Sequence, residues 1–325
     1  MSKTLTTCEC TEMGLTESAG GYYPVPEDKI EWIKSFDIIV VNTSAGKDSQ
    51  VQLDVVCKLA EQAGVLDRVV AIHCDLGQVE WAGVPELAEK QAKFYGVRFV
   101  KVSRDRDLLH QIEFERKDFP GKSARFCTSD QKTAQVMKAI TKLVAELHLG
   151  RQARVLSCLG LRSQESAERR NCTCCKNKGS ERDWKKGVRR PKNWVPRSEC
   201  PVCQGSGKRQ PLEHDFRHSS GVRWIDEWLP ILSWTKDEVW ARIHESGVPH
   251  HFAYDLGMPR LSCCLCPFAG KASLVLAARH NLALAKEYAR IEAKVGHKFS
   301  YEATMAEVVA LAEQGAEVVA EDWED

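Results

Sequence analysis

The residues with the clearest chemical pattern form a short turn, Ser44-Ala45-Gly46-Lys47-Asp48-Ser49. This turn follows an apolar run and opens a stretch with helical spacing. Small residues let backbone N–H groups approach phosphate oxygens, the start of a helix favours negative charge, Lys47 adds a cation, and the two serines add hydroxyl donors. The pattern therefore predicts a phosphate-binding turn. An ordinary strand-to-helix turn, capped by a serine or an aspartate, is the alternative interpretation.

The turn differs from the G-x-x-x-x-G-K-[ST] loop found in many nucleotide hydrolases. Val41 stands where that loop has its first glycine, and Asp48 stands where it has its serine or threonine. Any phosphate site built on this turn must therefore belong to another class of nucleotide-binding protein.

The segments around the turn alternate between short β-rich runs and amphipathic stretches. The runs cover residues 38–42, 68–73, 97–102 and 154–159. Between them, apolar residues recur at helical spacing, as in Val51, Val55 and Leu59. Strands separated by helical segments of this length are typical of βαβ units. We therefore predict an α/β fold with a doubly wound parallel sheet.

The composition is that of a globular protein of 325 residues, with 43% hydrophobic and 28% charged residues. It excludes a disordered or collagen-like chain, and the length suits one large domain with an appendage, or two domains. Apolar runs fall far short of the ~20 residues of a membrane-spanning helix, and no signal peptide is recognisable. We therefore expect a cytoplasmic protein without a membrane partner.

A strongly basic segment interrupts the α/β pattern. Thirteen basic residues face three acidic ones between Arg169 and Arg209, a local net charge of +10 in a chain whose net charge is +1. The segment has few large apolar residues and cannot bury a core of its own. We divide the chain into an N-terminal arm (1–36), a nucleotide-binding α/β domain (37–168), a basic insertion (169–210) and a mainly helical C-terminal part (211–325).

The cysteines of the insertion offer another source of order. The chain has 14 cysteines, and in the reducing cytosol such a number favours metal ligation or catalysis over disulfides. Two C-x2-C pairs, Cys172 with Cys175 and Cys200 with Cys203, have the pattern of a zinc ribbon. We predict a Zn²⁺ site on these four thiolates, with unliganded thiols as the alternative.

The same insertion has the composition of a nucleic-acid surface. Trp184 and Trp194 lie among its lysines and arginines. In nucleic-acid-binding proteins, lysine and arginine neutralise backbone phosphates, and the indole ring of tryptophan stacks on an unpaired base. A phosphorylated small molecule and an acidic protein partner are the alternatives. The tryptophans between residues 224 and 240 are instead interpreted as core.

Three further segments accompany the turn in a fixed order. They are His73-Cys74-Asp75-Leu76-Gly77-Gln78-Val79-Glu80, the segment from Gly160 to Arg169 that reads GLRSQESAER, and PILSWT with a following VW between residues 230 and 240. Together with the turn, they resemble the S-G-G-x-D-S, D-x-G-x-E, G-x-R-x-x-E-S-x-x-R and P-I-x-x-W-T motifs of the PP-loop ATP pyrophosphatases. These proteins are also called adenine nucleotide α-hydrolases, and the branch concerned includes the phosphoadenosine phosphosulfate reductases.

This resemblance implies an ATP site with Mg²⁺. It places Asp75, Gly77 and Gly160 near the nucleotide with the residues of the turn, and it directs Arg162 and Arg169 toward phosphate. Lys47, Asp48 and Arg162 are the implied catalytic residues. For the two arginines, a surface ion pair with Glu165 or Glu168, worth ~0–1 kcal/mol, is the alternative.

Two departures from the family pattern bear on the reaction. Sulfonucleotide reductases typically lack the lysine of the turn and end in a nucleophilic cysteine, whereas this chain has Lys47 and no cysteine after Cys266. Both features favour cleavage of ATP between its α- and β-phosphates, with formation of an adenylated substrate.

Two cysteine segments resemble those of the iron–sulfur members of the branch. They are Cys263-Cys264-Leu265-Cys266-Pro267-Phe268, similar to G-C-x-x-C-P-F, and Cys127-Thr128-Ser129-Asp130-Gln131-Lys132, similar to C-C-x-x-R-K. The resemblance implies a [4Fe–4S] cluster on Cys127, Cys263 and Cys266. Because Thr128 replaces a cysteine, either Cys264 is the fourth thiolate or one iron is open to a sulfur donor or substrate. A buried Cys127, with zinc or free thiols at the other positions, is the alternative.

The whole pattern is similar to the sulfur-mobilising proteins of DNA phosphorothioation. It implies an ATP-dependent enzyme that adenylates its substrate for sulfur insertion into a nucleic acid, with a sulfur donor such as a cysteine desulfurase as partner. A sulfonucleotide reductase supplied with electrons by a separate thiol protein is the second hypothesis. A non-catalytic, nucleotide-sensing, nucleic-acid-binding protein is the third.

The charge of the insertion gives a first testable prediction. We expect the charge reversal R189E/R190E to weaken nucleic-acid binding and to reduce the slope of log K against log salt by about 0.7–0.9 for each phosphate that is no longer neutralised. Fluorescence anisotropy with a labelled oligonucleotide over a salt series measures both quantities. K90E/K93E, which makes the same change in net charge outside the insertion, is the control. Equal affinities of the two variants at low salt would contradict the nucleic-acid interpretation.

Overall fold

A computed structural model of the chain describes residues 26–172, 200, 203, 205–215 and 217–320. In this part, a six-stranded sheet has the order β3-β2-β1-β4-β6-β5. Its strands are β1 (Ile38–Thr43), β2 (Val69–Cys74), β3 (Arg98–Val102), β4 (Ala153–Cys158), β5 (Leu212–His214) and β6 (Arg223–Trp228). All neighbouring strands are parallel except β5 and β6, which are antiparallel. The predicted α/β fold with a doubly wound, mainly parallel sheet is confirmed.

The helices lie between and after the strands. They are α1 (Lys29–Lys34), α2 (Lys47–Gln62), α3 (Val84–Phe94), α4 (Leu108–His110), α5 (Phe126–Thr128), α6 (Ala134–Glu146), α7 (Ala167–Arg170), α8 (Lys236–Ser246), α9 (Lys271–His280), α10 (Leu282–Val295) and α11 (Met305–Glu313). Helices α4 and α5 continue as π-helical turns, Gln111–Arg116 and Ser129–Thr133, and Ser163–Glu165 is a 3₁₀ turn. Within the described ranges, no helix combines the length and apolar character needed to cross a bilayer.

The sheet is covered on both faces because alternate side chains of a strand point to opposite sides. Ile39 and Val41 of β1 pack with α1 and α2, where Leu53 and Val56 are buried. The intervening residues of β1 contribute to a second cluster with Val136 and Ile140 of α6. The spacing of Val51 and Val55, recognised in the sequence, corresponds to another face of α2, which packs on Val239 and Ile243 of α8.

The C-terminal part is mainly helical, as predicted, but it also supplies two strands that the sequence analysis did not predict. Strand β6 pairs in parallel with β4, and β5 forms the edge beyond it. Trp228 is buried where β6 packs against α1, with its ring 5.2 Å from that of Trp32. After these strands, α9, α10 and α11 pack with residues of α3 and α4 in one apolar cluster that includes Tyr288 and Phe299.

The strand order reverses at β1, which lies between β2 and β4. In open α/β sheets, ligands bind beside the carboxyl ends of the strands at such a point. Gly160, just after β4, allows a close approach here, because a Cβ at this position would lie 2.9 Å from the Asp48 carbonyl oxygen and 2.9 Å from Gln52 Oε1. The absence of a side chain at residue 160 therefore lets the turn after β4 pack directly on the first turn of α2.

This close packing predicts that Gly160→Ala is destabilising. The added methyl group must push the Asp48 backbone or Gln52 aside, and overpacking of this kind costs about 1–3 kcal/mol. Urea unfolding measures the difference in the free energy of unfolding. Gly221→Ala is the matched control, since a Cβ at that exposed position meets nothing within 4 Å. Equal stability of the two variants would refute the packing role of Gly160.

Candidate active site

The predicted phosphate turn joins β1 to α2 in a conformation fixed by its own hydroxyl groups. Ser49 Oγ donates to the Gly46 carbonyl oxygen at 2.9 Å and accepts the Ser44 N–H at 3.2 Å. Ala45 is fully buried and has φ +56°, in the left-handed region that non-glycine residues seldom occupy. This residue aims the following backbone N–H groups to one side of the turn.

Several of these N–H groups are available to a ligand. Among the described residues, no acceptor binds the N–H groups of Gly46, Asp48 or Ser49. The first N–H groups of a helix have no partner within it and carry partial positive charge, which makes them a common anion site. The Lys47 N–H is instead held by the Tyr254 hydroxyl at 2.8 Å. The turn thus has the donors that a phosphate cradle requires.

The turn opens into a cavity of about 540 Å³ at the carboxyl end of the sheet. This volume lies in the range of roughly 300–1,000 Å³ typical of small-molecule sites. Ile72, Val136 and Met137 give the cavity an apolar wall between β2 and α6, and the turn forms its polar wall. The cavity can therefore hold a ligand with both an apolar ring and anionic groups.

Lys47 and Asp48 both line this cavity. Lys47 is almost completely buried, and its Nζ donates to the Pro259 carbonyl oxygen at 3.2 Å and lies 3.3 Å from the Asp48 carboxylate. The ammonium group is therefore held at the cavity wall by acceptors from two separate segments of the chain.

Arg162 contacts the turn through Asp48. Its side chain is 5% exposed, and its Nε donates to Asp48 Oδ1 at 2.5 Å. The phosphate contact that the resemblance implies for Arg162 stays a prediction. Through its bond to Asp48, Arg162 positions this carboxylate and joins the segment after β4 to the start of α2.

In the described part of the chain, Asp75 and Gly77 do not line the cavity. Asp75 accepts the Gly77 N–H at 2.8 Å and lies 3.1 Å from Lys101 Nζ. Burial raises the pKa of the Asp75 carboxyl, but the Gly77 N–H and Lys101 lower it by more, so the pKa lies below its ordinary value. From the same segment, His73 and Glu80 line the cavity instead, with Nε2 and Oε2 3.3 Å apart.

Arg169 does line the cavity, as the resemblance implied, and it also pairs with Glu165, as the alternative proposed. The same carboxylate lies 3.2 Å from Arg260, a residue that the sequence analysis did not single out. Gly160 lines the cavity as well. The residues after β4 are therefore divided between the cavity wall and the contact with α2.

Lys132 and Cys263 line one end of the cavity, and the thiols of Cys127 and Cys266 lie near Cys263. The three thiols and the ammonium group are close enough to affect one another's protonation. Burial raises the pKa of the Cys263 thiol to about 12 and also raises that of Cys266. For Lys132, burial lowers the pKa, but the thiols and Glu80 raise it overall.

Cys264 has a different environment. Its thiol forms a hydrogen bond with Asn281, its N–H donates to the Val79 carbonyl oxygen at 2.8 Å, and it is buried in the C-terminal helical cluster. These contacts favour the alternative in which Cys127, Cys263 and Cys266 provide three thiolates without Cys264. A cluster with three protein ligands keeps one iron open.

A second group of thiols lies at the base of the basic insertion. The sulfur atoms of Cys172, Cys200 and Cys203 all lie within 4.8 Å of one another, and all three residues are buried. The Gly207 N–H donates to Cys203 Sγ at 3.1 Å. Cys175, the fourth predicted ligand, lies outside the described residues. Converging thiols with an N–H donor to sulfur suit a metal bound by thiolates.

Some residues of the site were missed by sequence reasoning. Tyr254 and Arg260 lie more than 200 residues from the turn in sequence, and neither belongs to a motif that could have indicated contact. Lys132 could have been found, because it closes the segment that resembles C-C-x-x-R-K.

Solved structures with similar folds include three enzymes. FMN adenylyltransferase of Candida glabrata, in complex with FMN and the ATP analogue AMPCPP, is 12% identical, with a TM-score of 0.42 over 74% of this chain and 59% of that chain. Phosphoadenylyl-sulfate reductase from Candida auris is 18% identical, with a TM-score of 0.37 over 72% of this chain and 86% of that chain. U34-tRNA thiolase NcsA from Methanococcus maripaludis, with its [4Fe–4S] cluster, is 15% identical, with a TM-score of 0.38 over 86% of this chain and 72% of that chain.

The present chain thus spans about three fifths of the adenylyltransferase that it matches. Among curated protein sequences, no match was found.

A family profile gives the assignment. The profile of the phosphoadenosine phosphosulfate reductase domain matches residues 38–269, which include the phosphate turn, the whole sheet and both cysteine segments at the cavity. The predicted PP-loop branch, which includes the phosphoadenosine phosphosulfate reductases, is thereby confirmed. The chain belongs to the phosphoadenosine phosphosulfate reductase domain family.

Proposed function

We propose that the protein is an ATP pyrophosphatase that adenylates its substrate and so prepares it for sulfur transfer onto a nucleic acid. In this reaction, a substrate oxygen attacks the α-phosphorus of ATP, the bond from the α-phosphorus to the bridging oxygen breaks, and pyrophosphate leaves. Sulfur then displaces AMP from the activated carbon or phosphorus. The observation that carries the proposal is that the phosphate turn and a cysteine segment line the same cavity.

The phosphate turn suits the triphosphate of ATP. Gly46, Asp48 and Ser49, whose N–H groups have no acceptor in the described part of the chain, line the cavity together with Lys47. Fixed donors of this kind stabilise charge that develops on a leaving group without having to reorganise. The apolar wall of Ile72, Val136 and Met137 offers a place for the adenine ring.

A sulfonucleotide reductase is the second candidate, and the family profile favours it by name. Lys47 argues for ATP, because a buried cation beside the turn is useful for a leaving pyrophosphate, which the reductase reaction does not produce. The last cysteine is Cys266, so a reductase would need an external thiol. Release of AMP and pyrophosphate from ATP is required by the adenylating enzyme, and neither the reductase nor a non-catalytic nucleotide sensor would produce it.

Mg²⁺ bound to the phosphates supplies further neutralisation of charge on the pyrophosphate. The Asp48 carboxylate is engaged by Arg162 and Lys47, so the protein offers few carboxylate ligands at the turn itself. The residues of the turn would bind and orient the triphosphate, and few of them would be available to hold the metal.

An iron–sulfur cluster fits the other end of the cavity. Cys127, Cys263 and Cys266 would hold it, and Lys132 would offset the negative charge of three thiolates. When bound, such a cluster with an open iron supplies a binding position for sulfur. Cys263 lines the cavity directly, so this end of the cavity is open to the bound substrate.

A zinc ion fits Cys172, Cys200 and Cys203, with Cys175 as the fourth ligand. Three buried thiols converge there at the ends of a segment that has no apolar core. A structural Zn²⁺ supplies folding energy to such a segment. The ordered insertion would then present its positive charge to a nucleic acid, while a sulfur donor such as a cysteine desulfurase delivers sulfur to the cavity.

Lys47→Met tests the reaction. Methionine retains an apolar stem but removes the charge, and loss of one group that stabilises the transition state typically lowers kcat by about 100-fold or more. Chromatographic measurement of AMP, with an enzyme-coupled measurement of pyrophosphate, follows turnover. Lys58→Met, which removes a partly exposed lysine paired with Asp54 on the same helix, is the control. Normal turnover by the Lys47 variant would refute the proposed site.

A pair of cysteine variants tests the cluster. Cys127→Ala is expected to abolish the ~400 nm absorbance of anaerobically purified protein and to lower its iron and sulfide content, while leaving zinc unchanged. Cys264→Ala is expected to retain iron, because its thiol contacts Asn281. Retention of iron in the first variant would remove Cys127 from the ligand set, and its loss in the second would identify Cys264 as the fourth ligand.

A further inference from the structure

We infer that His218, oriented by Asp215, is the general base of the proposed adenylation and takes the proton that an attacking hydroxyl group loses. The inference rests on the proposed function, since it assigns a catalytic residue to that reaction and a class of nucleophile to its substrate.

The two residues, called the dyad below, reach the cavity from the loop between β5 and β6. Asp215 directly follows β5, His218 lies in the same loop, and both line the cavity. In the strand order β2-β1-β4-β6, the phosphate turn follows β1, and Lys132 lies beside Cys74 at the end of β2. The dyad therefore lies at the β6 end of the cavity, whereas Lys132 lies at the β2 end.

A row of polar side chains connects the phosphate turn with the β6 end. Asn42, Ser157 and Glu227 belong to β1, β4 and β6, and all three line the cavity. Asn42 Nδ2 donates to Ser157 Oγ at 3.2 Å, and Ser157 is the register partner of Glu227. Because neighbouring strands lie about 4.8 Å apart, the row covers roughly 10 Å. This length leaves room for an acceptor group between the triphosphate and the dyad.

The dyad has the geometry of an oriented base. Asp215 Oδ1 accepts the N–H groups of Arg217 and His218 at 3.1 and 3.2 Å, and Oδ2 lies 2.6 Å from His218 Nδ1. An ionised carboxylate can only accept, so Nδ1 carries the proton and the neutral ring has its lone pair on Nε2. Arg223 Nε also donates to the His218 carbonyl oxygen at 3.0 Å, which fixes the loop to β6.

The second ring nitrogen of His218 is available. Within the ranges that the structure describes, nothing bonds Nε2, and the side chain is 33% exposed. A base needs such a lone pair within reach of the substrate and a route by which the proton can leave. His218 can therefore accept a proton from a bound group and release it to solvent.

The charged groups around the dyad favour the protonated ring. Burial and the carboxylates of Glu213 and Asp215 raise the pKa of Glu227 to about 7, against the opposing effect of Arg209. These three carboxylates face two arginines, Arg209 and Arg223. An excess of negative charge near an imidazole stabilises its cationic form, which is the form that a general base takes after the proton transfer.

The step is balanced without a further reactant. The O–H bond of the attacking hydroxyl group breaks as its proton moves to His218 Nε2, and the oxygen forms a bond to the α-phosphorus. The bond from phosphorus to the bridging oxygen breaks, and pyrophosphate leaves with that electron pair. A phosphodiester oxygen carries no proton at neutral pH, so a base here implies an acceptor with a hydroxyl group, or water in its absence.

The pH dependence of pyrophosphate release from ATP tests the base, with water as the nucleophile in the absence of an acceptor. A base must be unprotonated, so wild-type kcat is expected to fall from pH 8 to pH 5. His218→Gln is expected to lower kcat by about 100-fold or more and to remove this fall, without raising KM for ATP. Glu227→Gln should retain the fall. His297→Gln, which changes an exposed histidine 3.6 Å from Asp118, is the matched control.

Asp215→Asn tests the orientation of the ring. Asparagine still accepts the two backbone N–H groups, but its amide can donate to Nδ1 and so moves the ring proton to Nε2. Diethyl pyrocarbonate modifies unprotonated imidazole nitrogen, and its reaction is expected to slow at His218 and to stay unchanged at His297. Mass spectrometry of the peptides measures both rates. Unchanged labelling of His218 would overturn the dyad.

The kinetic outcomes separate the base from the proposed function. Equal kcat values for wild type and His218→Gln would overturn the base and leave the proposed function intact. A fall toward low pH that persists in His218→Gln and disappears in Glu227→Gln would do the same. If wild-type protein releases no pyrophosphate from ATP, the proposed function fails and the base assignment fails with it, whatever the labelling shows.

Discussion

The site depends on the N–H groups at the start of α2. They have no acceptors in the described part of the chain, and side-chain hydrogen bonds fix the turn that carries them. The Ser49 hydroxyl closes the turn on Gly46, and the Tyr254 hydroxyl accepts the Lys47 N–H. Behind the turn, Asp48 is fixed by Arg162. A helix start with fixed geometry and available donors binds an anion without reorganising, which is the condition for strong electrostatic stabilisation.

Much of this arrangement is local in sequence and could be predicted from it. The turn, the strand before it and the helix after it are contiguous, so residue types and periodicity indicate both their structure and their capacity to bind phosphate. The strands from β1 to β4 could likewise be predicted from residue types and periodicity. Strand β6 was missed because Arg223–Trp228 does not alternate polar and apolar residues, and its tryptophans were interpreted only as core residues.

The contacts that could not be predicted connect residues distant in sequence. Family resemblance directs Arg162 toward phosphate, whereas only the fold shows that its Nε also bonds Asp48. Arg260 lies beside Glu165 because the chain returns to the cavity after α8, and no spacing rule anticipates that return. Sequence therefore indicates which groups are present at the site, whereas the assignment of each group to a ligand or to another side chain depends on tertiary packing.

The base of the basic insertion is connected to the cavity by short paths along the backbone. Cys172 and Cys203 lie at the two ends of the insertion, and backbone hydrogen bonds join Cys172 to Gly207 and Arg170 to Arg209. One end leads directly to Arg169 at the cavity wall. The other leads to Arg209, which bonds Glu227 at 3.1 Å, a cavity residue whose pKa burial raises to about 7. A metal that fixes the thiols would therefore fix this wall as well.

The cavity has two chemically different ends, and one short segment belongs to both. Pro259 accepts from Lys47, Arg260 faces Glu165, and Cys263 lines the end where Lys132 and the other thiols lie. A charged phosphate is a stronger acceptor for an ammonium group than a neutral carbonyl oxygen, so nucleotide phosphates compete for the hydrogen bond that Lys47 makes with Pro259. Because only three positions separate Arg260 from Cys263, one short backbone segment carries residues of both ends.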